Sequence, residues 1–137
     1  MTSEAILTLF EQNGSQLSAR NLATAVHRIG KLGGRNVRQD PRLERLIETC
    51  SQRIGEFEPQ GIANCAWGCA KIGITNPRIF EAVAAEVPRR IGEFNAQEMA
   101  NPVWAFATAS VSADQLFEAI AAEVRRRIGA FDPASLG

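Results

Sequence analysis

The chain has 137 residues, 45% hydrophobic and 22% charged, with fifteen cations balanced by fifteen acids. That is enough for one modest core, and the zero net charge gives no whole-protein attraction to nucleic acid. No apolar run approaches membrane-spanning length. Tyrosine is absent, and valine and threonine are sparse beside alanine, which favours helix over sheet.

Residues 3–12 predict a short helix with an apolar stripe of Ile6, Leu7 and Phe10, ended by Asn13-Gly14. Ser18 caps a second helix running to about Leu32, followed by a loop from Gly33 to Gln39. Asp40-Pro41 places a capping side chain before a proline at the first helical position. The helix it opens reaches about Ile54, presents Leu43, Leu46, Ile47 and Cys50, and is stopped by Gly55. Glu58-Pro59 and Asn76-Pro77 open the next two. Asn95 with Glu98, and Ser112 with Gln115, match the capping-box pattern at the starts of the last two. Pro88 and Pro102 fall inside helical patterns, where each predicts a kink or a split. The count is seven helices in a single domain.

The segment Phe57–Gly73 returns 37 residues later as Phe94–Ser110 without a gap. Phe57, Phe94 and Phe131 share this spacing, as do Ile54, Ile91 and Ile128; Trp67 matches Trp104 and Asn64 matches Asn101. A weaker copy lies upstream at an offset of 40, with Leu17 in the place of Phe57 and His27 in the place of Trp67. A fixed period of this size marks a repeat architecture. Each unit reads as a helix A, a turn and a helix B, which cannot bury its apolar face without a neighbour. The expected fold is therefore all-α, a right-handed type of α-solenoid of about three helix-turn-helix repeats. Residues 1–16 form an N-terminal helix, 17–56, 57–93 and 94–130 the repeats, and 131–137 the start of a fourth.

The strings Ile62-Ala-Asn-Cys-Ala-Trp-Gly-Cys-Ala-Lys-Ile-Gly73 and Met99-Ala-Asn-Pro-Val-Trp-Ala-Phe-Ala107 resemble the core motif of octotricopeptide repeats. Asn21-Leu-Ala-Thr-Ala-Val-His-Arg-Ile-Gly-Lys31 looks like a first repeat of such proteins. These repeats are related to the helical region of the Fas-activated serine/threonine kinase-domain proteins. The resemblance covers nearly the whole chain. It implies an α-solenoid that binds RNA in a mitochondrion or chloroplast, where such proteins act in transcript stability, splicing, translation or ribosome assembly.

On each helix A, residues i, i+4, i+7 and i+11 share one stripe. The stripes are Arg20, Thr24, His27 and Lys31; Gln60, Asn64, Trp67 and Lys71; and Gln97, Asn101, Trp104 and Thr108. Amides read base edges, aromatic faces stack on unpaired bases and cations meet phosphates, so this face is the expected RNA site, one base per repeat. The two tryptophans themselves read as residues packed between helices, since identity at every copy suits a folding role and tryptophan is highly buried on average. Arg53, Arg89, Arg90, Arg125, Arg126 and Arg127 gather at the ends of helices B as a second basic patch. Arginine in a last turn also complements the helix dipole, and Glu86 and Glu123 stand at i,i+4 spacing from Arg90 and Arg127. Thirteen of the fifteen cations are arginine, the side chain suited to bidentate phosphate or carboxylate contact.

Cys50, Cys65 and Cys69 read as small buried hydrophobes rather than a disulfide framework or metal site. Neither a phosphate-cradling glycine loop nor a paired nucleophile and base is visible, so no enzyme, cofactor or small-molecule substrate is expected. Phe117, Ile120, Val124, Ile128 and Phe131 form an apolar row expected to stay partly exposed and to dock another protein subunit, another copy of the chain or a continuation of it. Two functions follow. One is an RNA-binding repeat protein of organellar RNA metabolism or a small ribosomal or ribonucleoprotein subunit. The other is a non-catalytic scaffold joining proteins in a larger complex.

Overall fold

The computed structural model describes residues 1–34 and 36–129. Seven α-helices and no strand occur among them: α1 Ser3–Asn13, α2 Ala19–Leu32, α3 Pro41–Arg53, α4 Pro59–Ile72, α5 Pro77–Arg89, α6 Ala96–Thr108 and α7 Asp114–Gly129. The starts follow local side-chain chemistry. Ser18 Oγ accepts from Asn21 N, Asp40 Oδ1 from Arg42 N and Asn76 Oδ1 from Arg78 N. Asn95 and Glu98 close a reciprocal capping box. Each of these satisfies an amide that the first helical turn cannot.

Several endings differ from the sequence expectation. α3 stops at Arg53 and tightens into a 3₁₀ turn, Ile54–Glu56, and the same turn recurs at Ile91–Glu93. Gly55 therefore sits inside a turn at negative φ and is not a left-handed stop, whereas Gly73, at φ 87°, is one. A third 3₁₀ turn, Val37–Gln39, occupies part of the expected loop. α7 begins at Asp114, with Phe117 N donating to Ala113 O, so the expected Ser112–Gln115 box is not what starts it. Neither proline splits its helix. α6 runs through the buried Pro102, and Pro88 lies in the last turn of α5, where little helix remains to disrupt.

The helices pack in two layers. α2 lies against α4 and α4 against α6, while α1, α3, α5 and α7 adjoin one another in turn. The core between them holds Leu22, Val26, Leu43, Leu46, Ile62, Val83, Val87 and Phe106, with Phe57 and Phe94 buried at the entries to α4 and α6. The α2–α4 contact needs glycine. A Cβ on Gly68 would lie 2.6 Å from the Val26 carbonyl oxygen, and one on Gly30 would lie 2.9 Å from Gly68 Cα. Two helices this close fix the spacing of whatever their outer faces carry. All three cysteines are free and buried in this core, as expected for small apolar fillers. Mutual hydrogen bonding with Cys65 and burial push the Cys50 and Cys69 thiols up, away from reactive thiolate.

Candidate nucleic-acid interface

α2, α4 and α6 each turn one stripe outward, and close packing brings the stripes together as rows. Arg20, Lys31, Gln60, Lys71, Gln97 and Thr108 are exposed; Thr24, His27, Asn64 and Asn101 are half-buried. Arg20, Thr24, Gln60 and Asn64 line a groove of about 470 Å³ between α2 and α4, with Glu56 and Glu58 at its edge. On α6, Gln97 Nε2 donates to Asn101 Oδ1 at 3.0 Å, which orients the Asn101 amide.

The two tryptophans of the aromatic row differ in how far they are enclosed. His27 and Trp67 have ring centroids 4.9 Å apart, tilted by 53°. Trp67 and Trp104 stack at 6.3 Å and 28°. Trp67 is half-buried and does pack between helices, with His27 of α2 on one side and Trp104 of α6 on the other, whereas Trp104 is 41% exposed. Their periodic recurrence serves a row that crosses three helices on the outer face. The rings touch within the ordinary range for aromatic pairs. Lys71 Nζ lies 5.8 Å from the Trp67 ring centroid, within cation–π reach. Burial, and then the charge of Lys31, hold the His27 imidazole below its ordinary value, which favours the neutral ring. The signal for Trp104 was present in the sequence: it shares a stripe with polar residues rather than with Met99, Ala105 and Phe106, which are buried.

The arginines at the ends of α3, α5 and α7 do not form a free patch. Arg53 Nη1 donates to the Leu17 carbonyl at 2.8 Å and Arg90 Nη1 to the Phe57 carbonyl at 2.8 Å. Arg127 donates to the Phe94 carbonyl. Leu17, Phe57 and Phe94 immediately precede the caps of α2, α4 and α6, where main-chain acceptors have no helical partner. One guanidinium per repeat thus ties the end of helix B to the entry of helix A. The same side chains bridge carboxylates: Arg53 to Glu56 at 3.1 Å, Arg90 to Glu86 at 3.2 Å and Arg127 to Glu123 at 3.0 Å. Arg89 and Arg126 pair with Glu86 and Glu123 from the other side. Glu86 and Glu123 are buried, and Glu123, held by Arg126 and then Arg127, falls from 4.5 to about 2. Arg125 is exposed and makes no ion pair among the described residues.

The apolar row on α7 is only partly open. Val124 is 39% and Ile128 64% exposed, but Phe117 is half-buried edge-on to Phe106, and Ile120 is buried. Ile120 therefore belongs to the core that α7 shares with its neighbours, not to a surface patch. Phe131 lies outside the described residues. The contrast with the repeat before is direct: Val87, the counterpart of Val124, is fully buried. No helix among the described residues is long and apolar enough to cross a membrane, and no cluster of His, Cys, Asp and Glu among them could hold a metal ion.

Residues 41–65 and 75–103 match the model of a family described as a protein of unknown function (DUF1601). Both matched segments cover a helix B and roughly the first half of the helix A that follows it, so the match repeats with the helix pairs. Together they span under half of the chain. No curated protein matches it.

Proposed function

We propose that this chain is an RNA-binding helical-repeat protein, with α2, α4 and α6 as the nucleic-acid face of a right-handed type of α-solenoid. The observation that carries the reading is the outer row His27–Trp67–Trp104, flanked by the exposed cations Arg20, Lys31 and Lys71. Aromatic faces stack on unpaired bases, and cations on the same face meet the phosphates between them. The half-buried amides Asn64 and Asn101 supply hydrogen-bonding groups beside the rings. The role is binding without catalysis. The resemblance of the helix A strings to octotricopeptide repeats supports a role in organellar RNA metabolism, in a mitochondrion or chloroplast, or in a small ribosomal or ribonucleoprotein subunit. A scaffold role is the second reading. The exposed Val124 and Ile128 favour it, as positions where a further protein subunit would dock.

The test is binding of a single-stranded RNA library by fluorescence anisotropy at several salt concentrations. Replacing Arg20, Lys31 and Lys71 together by alanine is expected to weaken binding and to flatten the log–log salt slope by about two, at roughly 0.7 per lost phosphate contact on single strands. An unchanged slope in a folded triple variant rules these three out as phosphate contacts.

A further inference from the structure

Resting on that reading, we infer that the aromatic row takes one unpaired base, stacked on the outer face of Trp104, and not one base per repeat. A base that enters between two rings needs a van der Waals spacing of about 3.5 Å on each side, so the rings must stand about 7 Å apart. Trp67 and Trp104 are already nearly parallel at 6.3 Å, and His27 and Trp67 touch at 4.9 Å. Both gaps are closed. The His27–Trp67 gap spans α2 and α4, which the Gly30–Gly68 contact holds backbone to backbone.

The rings at the two ends of the row are unequal. His27 is tilted by 53° from Trp67 and half-buried, so its plane does not continue the stack. Trp104 continues it at 28°, has the larger ring system and is 41% exposed. Among the described residues, Trp104 is thus the ring of the row most open to a ligand ring.

The surroundings of that face point to the ligand class. Asn101 precedes Trp104 by three residues on the same helix face. With its Oδ1 accepting from Gln97, the Asn101 Nδ2 group is turned to donate, and the Gln97 carbonyl oxygen is left to accept. A donor and an acceptor at the rim of an aromatic platform suit the polar edge of a nucleobase. The broad indole favours a purine, which covers more of it than a pyrimidine does. Lys71, 5.8 Å from the Trp67 ring centroid on the adjoining helix, supplies a cation for the adjoining phosphate. The ligand class is a single-stranded segment carrying one unpaired purine.

The experiment uses the full chain and fluorescein-labelled hexamers of adenylate and uridylate, read by anisotropy, with circular dichroism of each variant. Stacking of one base predicts that Trp104→Ala weakens adenylate binding about 5- to 100-fold. Trp104→Phe should recover most of it, His27→Ala should weaken binding clearly less than Trp104→Ala does, and adenylate should bind more tightly than uridylate. If the parent binds and folded Trp104→Ala binds as well as it does, the platform falls while the RNA reading stands. Equal losses in His27→Ala and Trp104→Ala would likewise overturn it in favour of several bases along the row. If the parent binds neither hexamer nor the RNA library, both fall. Sedimentation showing self-association that Trp104→Ala abolishes would make that face a protein contact, which also overturns the proposal.

Discussion

Two sets of cations on this protein differ in what holds them. Arg53, Arg90 and Arg127 recur at fixed spacing, and each is bound on two sides, by a carboxylate and by a main-chain carbonyl of another element. The positions of Arg20, Lys31 and Lys71 do not carry a cation in every copy, since Gln60 and Gln97 answer to Arg20 and Thr108 answers to the two lysines; all three cations stand exposed on the opposite layer and have no ion pair among the described residues. Strict periodicity in charge therefore marks the cations consumed by folding, and irregular placement marks those left for a ligand. The physical reason is that every repeat has the same orphan carbonyl at its entry but no reason to meet the same phosphate.

The sharpest break in this comparison comes from removing one member of each set. Arg90→Ala takes a donor from the Phe57 carbonyl and one of two partners from the buried Glu86. Charge-assisted hydrogen bonds and the desolvation of groups left behind put the loss at about 2–3 kcal/mol in urea unfolding. Arg20→Ala should fall within about 0.5 kcal/mol, as surface substitutions do. Equal losses at the two sites would abolish the distinction.

These carbonyl contacts were not legible in the sequence. Leu17 and Arg53 are 36 residues apart, and Phe57 and Arg90 are 33 apart, so no local pattern links them. The i,i+4 pairs of Glu86 with Arg90 and Glu123 with Arg127 were legible because helix geometry fixes them. The same holds for the caps at Ser18, Asp40, Asn76 and Asn95, where one short side chain meets an amide two or three residues away. Stripe periodicity placed Trp67 and Trp104 on one row but could not orient it, because tryptophan suits a buried seam as well as an amphipathic surface. It likewise grouped Ile120 with Val124 and Ile128, although only packing decides that the first is covered and the others are not. Gly55 looks like a helix stop in sequence because a 3₁₀ turn and a left-handed cap are both compatible with glycine.

A smaller effect, dependent on pH, sharpens the account of the structural set. Glu123 is held by Arg126 and Arg127 at about 2 in the folded chain, against 4.5 when free. A carboxylate with a lowered folded value adds stability above the unfolded value and loses it as pH falls towards the folded one. Glu123→Gln should therefore be less stable than the parent at pH 6. The two chains should converge as pH is lowered from about 4.5 to about 2. Urea midpoints across that range make the measurement, and a gap that stays constant down to pH 2 would mean that the carboxylate's charge is not what holds α7 at its end.

The smallest expected effect tests the free set. Lys71 extends over the Trp67 ring at 5.8 Å, which is a packing contact of a kind, and it is the one place where the two sets could merge. An exposed cation–π pair is worth about 0.5–1 kcal/mol at most, and Lys71 is exposed where Arg90 is enclosed. Lys71→Ala should thus cost no more than about 1 kcal/mol in urea. Because Trp67 and Trp104 are the only tryptophans and tyrosine is absent, intrinsic fluorescence reports on this row alone. Removing the ammonium should shift the emission of Trp67 without changing the unfolding cooperativity. A loss above 1 kcal/mol would show that Lys71 secures α4 as Arg90 secures α5. It would then belong with the structural cations, and the outer face would keep only Arg20 and Lys31 for a ligand.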